Sequence, residues 1–445
     1  MRDAGKTMKP LHVGLLGFGT VGKGTWDVLR RNEEEITRRA GRPIRINWVA
    51  TRTRDRADAV VGPLPGVNVT HDAAAIVAHP DVDIVCELVG GLEPARTLVL
   101  DAIAHGKHVV TANKALLAHH GNEIFAAAHA QGVMVAFEAA VAGGIPIIKA
   151  LREGLTANRI EWIAGIINGT SNFILSEMRA TGASFPAVLK EAQRRGYAEA
   201  DPAFDVDGID AAHKLTIMSA IAFGVPMQFD KAYAEGISTL TREDIRYAEE
   251  LGYRIKLLGI TRRALNGIEL RVHPTLIPTK RLLANVEGAM NAVLVKADAV
   301  GPTLYYGAGA GAEPTASAVI ADLVDVTRMH TADPEHRVPH LAFQPDQLTD
   351  VPILSIGEVV TSYYLRMRVE DKPGVLADIT RILADRDISI DAMIQKEPPE
   401  GEEQTDIILL THRTVENSVV AAIAKIEALP TVRGKIVRIR LEDLN

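Results

Sequence analysis

The stretch Ala192–Lys214, AQRRGYAEADPAFDVDGIDAAHK, has an unusual density of side chains that could hold a substrate or move a proton. Gly196 to Pro202 has turn chemistry, because glycine and Asp-Pro interrupt helices. The stretch contains carboxylates and a closing lysine, namely Glu199, Asp201, Asp205, Asp207, Asp210 and Lys214. Acids and a lysine in one short segment could anchor a substrate or donate a proton.

Asp210 and Lys214 lie four residues apart in a predicted helix that begins near Gly208 and runs to Met218. At this spacing they share one helix face and can pair. An exposed pair of this kind is common and contributes little to stability. The apolar run LTIMSAIAFGV after Lys214 instead predicts that Lys214 lies at the edge of a core, where a lysine beside an acid can donate a proton or anchor a substrate. Both interpretations stay open at this point.

Length and composition exclude several classes of protein. The 445 residues suggest about three domains, and a net charge of -7 gives no reason to expect nucleic acid or an anionic membrane as a partner. One cysteine, Cys86, excludes a disulfide framework and a cysteine zinc site, and its apolar surroundings favour a buried structural thiol. No apolar run of about 18 residues and no signal peptide are visible, so we expect a cytoplasmic protein. The first residues, MRDAGKTMK, are expected to be disordered.

The first domain has the pattern of a dinucleotide-binding fold. A predicted strand, Leu11–Leu16, is followed by Gly17, Gly19 and Gly22 as G-x-G-x-x-G and then by an amphipathic helix. The first glycine permits the tight turn, the second lets the backbone approach a pyrophosphate closely, and the third lets the helix pack on the strand. The amino terminus of the helix would bind the phosphates.

The second strand, Ile44–Thr51, ends in Thr51-Arg52-Thr53-Arg54 rather than in an acid. An acid at this point usually binds the ribose hydroxyls of NAD, whereas an arginine suits the 2′-phosphate of NADP. Arg52 therefore favours NADP, unless it is an ordinary surface arginine.

Further strands alternate with helices, which predicts a parallel sheet wound on both faces. These strands are Asp83–Val89, His108–Thr111 and Val133–Phe137. Because ligands collect at the carboxyl ends of parallel strands, Lys114, which follows Thr111 and opens a helix, is predicted to point into the nicotinamide crevice. The alternative is a lysine that faces solvent.

The middle of the chain contains three segments of small or polar residues. Phe137–Pro146, FEAAVAGGIP, could hold a cation near Glu138 or simply form a tight turn. Asn168–Asn172 follows the predicted strand Ile160–Ile167, and Ser171 or Asn172 is expected to cap the next helix, Phe173–Ala180. Gly307–Gly311 precedes the helix Thr315–Thr327, and permits close approach of a cofactor or of another helix.

The last part of the chain predicts a β-α-β-β-α-β module after a linker rich in His, Pro and Asp. Its elements are the strand Tyr363–Val369, a helix that follows Asp371–Leu376 and ends near Arg386, the strands Ile388–Gln395 and Thr405–Thr411, the helix Val415–Ala428 and the strand Lys435–Arg440. Its polar residues have no catalytic arrangement, so we expect it to bind a small ligand or a second copy.

Four motifs of the chain resemble those of the homoserine dehydrogenase family: GFGTVG from Gly17, VTANK from Val110, FEAAVAGGIP from Phe137 and the opening stretch from Ala192. The family signature A-x3-G-Y-A-x2-D-P-x2-D-V-x-G-x-D-x3-K is matched without departure. The tail resembles an ACT domain, with DKPGVL as its turn, as in the longer monofunctional bacterial members. The implied fold is α/β: a Rossmann-type doubly wound parallel sheet, an α+β catalytic and dimerisation domain and a ferredoxin-like ACT domain.

The resemblance implies reversible reduction of L-aspartate 4-semialdehyde to L-homoserine with NADPH or NADH, in threonine, methionine and isoleucine biosynthesis. Lys214 would be the acid/base residue, with Asp210 beside it and Lys114 at the cofactor–substrate junction. The implied substrate-binding residues are Glu199, for the substrate ammonium, Asp205 and Gly196. The implied cofactor-binding residues are Gly17, Phe18, Gly19, Thr20, Val21, Gly22, Arg52, Thr111, Lys114 and Gly311. A structural sodium ion would be held by Glu138 and the carbonyls of Val141, Gly143 and Ile145, and no zinc is expected.

The resemblance also implies domain bounds and partners. We expect the dinucleotide-binding domain at 10–140, completed by 306–330, a catalytic and dimerisation domain at 141–305, a linker at 331–358 and the ACT domain at 359–445. L-Threonine is the expected inhibitor at the ACT domain, and a homodimer or homotetramer is expected by analogy. Two other functions were weighed: phosphorylating oxidation of the same aldehyde, which needs a cysteine nucleophile, and a non-enzymatic amino-acid sensor.

Overall fold

The computed structural model describes residues 8–53, 57, 66–396 and 401–445. Most of the segment MRDAGKTMK, and Arg54, lie outside the described residues. The chain divides into two compact units: residues 1–161, 213–230 and 291–351 form the first, and residues 162–212, 231–290 and 352–445 form the second. None of the described helices is both long and apolar enough to cross a bilayer.

The first unit is built on a parallel sheet. Its strands are β1 (Leu11–Leu16), β2 (Ile44–Ala50), β3 (Asn68–Thr70), β4 (Ile84–Glu87), β5 (His108–Thr111) and β6 (Val135–Ala136). They lie in the order β3-β2-β1-β4-β5-β6, and every neighbouring pair is parallel. This is the strand order of a Rossmann fold, with the change of direction between β1 and β4. The prediction of a doubly wound parallel sheet is confirmed, although the short strand β3 was not predicted.

The helices of the first unit cover the buried strands, as buried parallel strands require. They are Thr20–Arg31, Glu33–Ala40, Ala73–Val77, Ala95–Ala104, Lys114–Ala130, Ile147–Lys149 and Ala312–Met329, with a π-helical turn at Ala150–Gly154 and a 3-10 turn at Glu138–Ala140. Ala316, Val319 and Leu323 of the returning helix join the same apolar core as Leu15 and Ile84. The strands Met290–Ala297 and Gly301–Ala308 are adjacent in a sheet and precede the returning helix Ala312–Met329.

The second unit contains a mixed sheet. Its neighbouring strands are, in order, Ile160–Ile166, Tyr253–Ala264, Gly267–Pro278, Val432–Leu441, Val360–Glu370, Gln404–Thr411 and Ile390–Gln395. Short strands at Tyr233–Ala234 and Thr414–Val415 pair at its sides. The helices are Gly169–Thr181, Phe185–Arg194, Ala203–Val206, Arg242–Glu250, Val375–Ala384 and Glu416–Glu427. Helix Ile209–Phe223 begins in this unit and continues into the first.

The tail has the predicted order of elements. Strand Val360–Glu370, helix Val375–Ala384, strands Ile390–Gln395 and Gln404–Thr411, helix Glu416–Glu427 and strand Val432–Leu441 follow one another. Both helices cover an apolar core that includes Leu365, Ile379 and Val419. The βαββαβ prediction is therefore confirmed.

The tail shares its sheet with the rest of the second unit. Strand Val432–Leu441 pairs in parallel with Gly267–Pro278, with Thr275 opposite Arg440. Arg440 is fully buried and donates to both carboxylate oxygens of Glu416, at 2.8 and 2.6 Å, and to Glu235 at 2.8 Å. The tail is thus joined to its neighbours by backbone pairing and by a buried ion-pair network.

Candidate active site

The glycine turn of the first unit has the geometry that a pyrophosphate requires. Gly17 has a φ of 96°, and a Cβ there would lie 2.6 Å from the carbonyl oxygen of Leu88. A Cβ on Gly22 would lie 2.2 Å from the carbonyl oxygen of Gly17, so the helix Thr20–Arg31 starts directly against the turn. Gly19 has no atom within 4 Å of its Cβ position, so a ligand could approach its backbone closely. These positions fit the three glycine roles of a dinucleotide site.

The other predicted cofactor-binding residues differ in exposure. Phe18 is buried and Val21 is half-buried, so both side chains pack into the core, whereas Thr20 is exposed at the first position of the helix. Arg52 is exposed in the bend after β2. Gly311 has a φ of 127° and caps the helix Ala312–Met329.

The two loops that follow β4 and β5 are tied together by buried polar side chains. Thr111 donates to Glu87 at 2.6 Å, and the same carboxylate accepts the backbone N–H groups of Val89 and Gly90 at 2.8 and 3.1 Å. Asn113 accepts the N–H of Leu116 at 3.1 Å and so caps the helix that Lys114 opens. Lys114 is half-buried and opens that helix, as predicted. Its orientation toward a nicotinamide stays a prediction.

In the second unit, one amide joins two of the predicted site carboxylates. Asn168 Nδ2 donates to Asp205 Oδ1 at 2.7 Å and to Asp210 Oδ2 at 2.8 Å. Asp210 is buried, whereas Asp205 is partly exposed. The hydroxyl of Thr170 lies 3.1 Å from Asp205 Oδ2 and 2.7 Å from the carbonyl oxygen of Tyr197. Asn168 and Thr170 are neutral donors, so these hydrogen bonds position the carboxylates without adding an opposite charge.

The remaining residues of the opening stretch occupy different positions. Gly196 follows Arg195, the C-cap of helix Phe185–Arg194, and has a φ of 77°. Glu199 is exposed, and its backbone carbonyl accepts from Gln193 at 3.0 Å. Lys214 is buried in helix Ile209–Phe223, one turn after Asp210. The interpretation of Asp210 and Lys214 as a solvated surface pair is therefore wrong, because both side chains are buried.

The cap of the helix Gly169–Thr181 differs from the prediction. Neither Ser171 nor Asn172 caps it; the Oδ1 atom of Asn168 accepts the N–H of Ser171 at 2.8 Å. The helix begins earlier than predicted, so Asn172 is buried within it and donates to the carbonyls of Val286, Gly288 and Met290.

Glu138 lies buried in the predicted cation loop. Its carboxylate accepts the N–H groups of Ile148 and Lys149 at 2.9 and 2.8 Å. Burial raises the pKa of Glu138, and these two hydrogen bonds oppose that rise. Ala142 and Gly143 both have positive φ, at 55° and 54°, so the chain turns sharply here. Within the described parts of the chain, no group of three or more His, Cys, Asp or Glu side chains could hold a metal ion.

Comparison with known proteins identifies the family. A model of the homoserine dehydrogenase NAD-binding domain matches residues 17–138, a homoserine dehydrogenase model matches 146–324, and an ACT domain model matches 363–431. Homoserine dehydrogenases of Pseudomonas aeruginosa and Neisseria gonorrhoeae are 62% and 60% identical, each over 98% of this chain and 100% of the relative. The crystal structure of a homoserine dehydrogenase from Thiobacillus denitrificans has 75% identity and a TM-score of 0.94, covering 98% of this chain and 99% of that one. The chain belongs to the homoserine dehydrogenase family. The resemblance drawn from the sequence motifs is thus confirmed, and the protein is an NAD(P)-dependent oxidoreductase with a Rossmann-type domain, a mixed-sheet catalytic domain and an ACT domain.

Membership of the homoserine dehydrogenase family excludes a non-enzymatic sensor and phosphorylating oxidation of the aldehyde as the function of this chain. A non-enzymatic sensor is inconsistent with full-length relatives that are dehydrogenases. A cysteine nucleophile would have to be Cys86, which is buried in β4 and whose pKa is raised by burial. A thiol of this kind is inert, because the thiolate is the reactive form.

The sequence patterns do not single out three of the side chains that make these contacts. Asn168 and Thr170 belong to a small polar cluster, and Glu87 lies in an apolar strand. The signal for Asn168 was its position immediately before a helix, where Asn is a favoured cap. Glu87 is an acid at the end of an apolar strand, and such a buried acid must find donors.

Proposed function

We propose that the protein interconverts L-aspartate 4-semialdehyde and L-homoserine, with Lys214 as the acid/base residue and Asp210 as its neighbour on the helix. The observation that carries this proposal is that Asp210 and Lys214 are both buried one turn apart, with Asp210 held by Asn168. Burial one helical turn from a carboxylate restricts the position of the lysine side chain, and a group that transfers a proton to a substrate oxygen must be held in place.

A bound nicotinamide supplies or accepts the hydride. When the aldehyde is reduced, its oxygen becomes an alkoxide, and Lys214 would stabilise that charge and transfer a proton to it. In the opposite direction Lys214 accepts the hydroxyl proton of homoserine. Lys114 would hold the substrate at the cofactor junction, and Glu199 and Asp205 would bind its ammonium, next to the turn at Gly196.

The direct test is the variant Lys214→Ala, assayed for homoserine oxidation and, by calorimetry, for cofactor binding. We expect turnover to fall by about a hundredfold to ten-thousandfold, with unchanged cofactor affinity. Lys190→Ala, at an exposed lysine, is the matched control and should retain full activity. Turnover of Lys214→Ala near that of the control would refute the mechanism.

We further propose a preference for NADP that depends on Arg52. The support is that Arg52 is exposed directly after β2, at the strand end where a 2′-phosphate would lie. Arg52→Ala should raise the KM for NADP about tenfold and leave the KM for NAD unchanged. Arg45→Ala, at another exposed arginine on β2, should change neither. Equal effects of Arg52→Ala on both cofactors would contradict the preference.

A structural sodium ion at Glu138 and the carbonyls of Val141, Gly143 and Ile145 is also proposed. The sharp turn at Ala142 and Gly143 and the buried carboxylate support it, because carbonyl and carboxylate oxygens are ligands for hard cations. Thermal unfolding in sodium and in tetramethylammonium salts at equal ionic strength tests it. A higher midpoint in sodium is expected, and equal midpoints would count against the site.

For regulation and assembly, we propose feedback inhibition by L-threonine through the ACT domain, and a homodimer or homotetramer. The ACT fold supports both proposals, and a place in threonine, methionine and isoleucine biosynthesis supports the first. Initial rates with and without threonine, and the mass by light scattering, test them. Rates that do not respond to threonine would refute the first, and a monomeric mass would refute the second.

A further inference from the structure

Glu87 is a fully buried acid at the carboxyl end of β4, and each of its carboxylate oxygens binds a different loop of the first unit. Its Oε1 atom accepts the N–H groups of Val89 and Gly90 at 2.8 and 3.1 Å, and its Oε2 atom accepts the hydroxyl of Thr111 at 2.6 Å. Glu87 and Thr111 lie opposite each other at the ends of the parallel strands β4 and β5. The carboxylate therefore joins two loops at the edge of the sheet where ligands of this fold bind.

The loop that the Oε1 atom holds is in close contact with the glycine turn. A Cβ on Gly17 would lie 2.6 Å from the carbonyl oxygen of Leu88 and 3.1 Å from the backbone nitrogen of Val89, which is the nitrogen that donates to Glu87. The N–H of Leu88 donates to the carbonyl of Leu16, the residue before Gly17, at 2.8 Å. Because these backbones touch, a displaced loop would also displace the turn that a pyrophosphate approaches.

The Oε2 atom holds the start of the helix that Lys114 opens. The hydroxyl of Thr111 donates to Glu87 and also accepts the N–H of Asn113, at 3.0 Å. The side-chain amide of Asn113 donates to the carbonyl of Gly91 at 2.7 Å, which is a second link between the two loops. Since Asn113 immediately precedes Lys114, the position of the Lys114 backbone depends on these hydrogen bonds.

We propose that Glu87 is a positioning residue for hydride transfer. Its carboxylate sets the spacing between the glycine turn, which binds the cofactor pyrophosphate, and Lys114, which holds the substrate at the cofactor junction. The effect on cofactor binding depends on the dinucleotide-binding domain alone, whereas the effect through Lys114 rests on the proposed function. An acid with a merely structural role would stabilise the fold without changing cofactor affinity or the KM for homoserine.

The test compares two substitutions at Glu87 in the full-length protein. Glu87→Met has a side chain of similar length and leaves the three donors without their acceptor. Glu87→Gln keeps a carbonyl oxygen for Val89 and Gly90, and its amide can donate to the hydroxyl of Thr111. Cys86→Ser is the matched control, because Cys86 is the preceding, fully buried residue of β4 and points to the opposite face of the sheet. The measurements are calorimetric titration with NADP, thermal unfolding and initial rates with homoserine.

We expect Glu87→Met to bind NADP about tenfold more weakly than the wild type and to have a kcat/KM for homoserine that is lower by about a hundredfold. Glu87→Gln should be closer to the wild type than to Glu87→Met in both quantities. Cys86→Ser should lower the Tm, because it buries a hydroxyl, and should keep the wild-type affinity for NADP and the wild-type KM. Wild-type affinity for NADP in Glu87→Met, whatever its Tm, would overturn the proposal, as would equal losses in Glu87→Gln and Glu87→Met.

Substitutions at Thr111 keep the proposal testable if Glu87→Met does not fold. Thr111→Val preserves the shape of the side chain and removes the hydroxyl that links Glu87 to Asn113, so the KM for homoserine should rise about tenfold. Thr111→Ser keeps the hydroxyl and should keep the wild-type KM. A wild-type KM in Thr111→Val would overturn the role of Glu87 toward Lys114. Absence of homoserine oxidation by the wild type would refute the proposed function, and the titrations with NADP would still decide whether Glu87 positions the cofactor site.

Discussion

Asn168 donates a hydrogen bond of 2.8 Å from Nδ2 to Oδ2 of Asp210, and the same amide reaches Asp205 at 2.7 Å. Its Oδ1 atom caps a helix at the same time. One side chain thus fixes a helix start and the position of two carboxylates, and these two roles can be separated by mutation.

Asn168→Ala should lower both stability and activity. Loss of the cap should reduce the free energy of unfolding by about 1 kcal/mol, and loss of the amide donor should lower kcat/KM by about a hundredfold. Asn168→Ser keeps a capping oxygen but lacks the two N–H groups, so it should recover most of the stability and little of the activity. The measurements are urea unfolding and initial rates with homoserine. Wild-type kcat/KM in Asn168→Ser would show that the amide does not position the carboxylates.

Gly19→Ala and Gly22→Ala should have different effects, although both change the same turn. A Cβ on Gly22 would meet the carbonyl oxygen of Gly17 at 2.2 Å, whereas a Cβ on Gly19 meets no atom within 4 Å. Gly22→Ala should therefore lower the Tm. Gly19→Ala should keep the wild-type Tm and weaken cofactor binding at least tenfold, because the added methyl group occupies the approach of the pyrophosphate. Thermal unfolding and calorimetric titration with NADP distinguish them, and unchanged cofactor affinity in Gly19→Ala would place the pyrophosphate elsewhere.

Arg440→Met should be strongly destabilising. Arg440 is buried and donates to Glu416 and Glu235. Its removal leaves the buried Glu416 with Arg438, at 2.8 Å, as its remaining cationic partner among the described residues, and we expect a cost of about 3 kcal/mol. Arg433, on the same strand, pairs with Glu370 at the surface, and Arg433→Met should cost less than about 1 kcal/mol. Urea unfolding of both variants measures the difference. Equal losses would mean that the buried network does not stabilise the junction of the tail with its neighbours.

Lys256 should make the stability of the protein depend on pH in the alkaline range. It is buried, its Nζ atom donates to Asn172 and to the carbonyl of Val286 at 3.1 and 2.6 Å, and burial lowers its pKa to about 8. Because the pKa is lower in the folded state, the unfolded chain binds more protons between about pH 8 and the ordinary pKa of about 10.4. The contribution of Lys256 to the free energy of unfolding should therefore rise with pH across this window and be constant below it.

The variant Lys256→Met isolates that contribution. The free energy of unfolding of the wild type minus that of Lys256→Met should increase by up to about 1.4 kcal/mol per pH unit between pH 8 and 10. Urea unfolding at several pH values gives this difference. A difference that is flat over that interval would show that Lys256 keeps its ordinary pKa in the folded protein.

Local patterns in the sequence were sufficient for much of the fold and for part of the site. The glycine spacing after Leu11–Leu16, the alternation of strands and helices, and the β-α-β-β-α-β order of the tail are short-range features that depend on backbone conformation and burial. The spacing of Asp210 and Lys214 likewise placed them on one face of a helix. The spacing does not determine whether they are buried, because an exposed pair has the same spacing.

The amino-acid sequence by itself determined the nature of the elements and the chemistry of the side chains at their ends. Only the tertiary structure decided which distant side chains meet. Asn168 reaches Asp205 and Asp210 across 37 and 42 residues, and Arg440 reaches Glu235 across 205. The periodicity of apolar residues indicates which face of a helix or strand is buried. It does not indicate which other element packs against that face, or in what register.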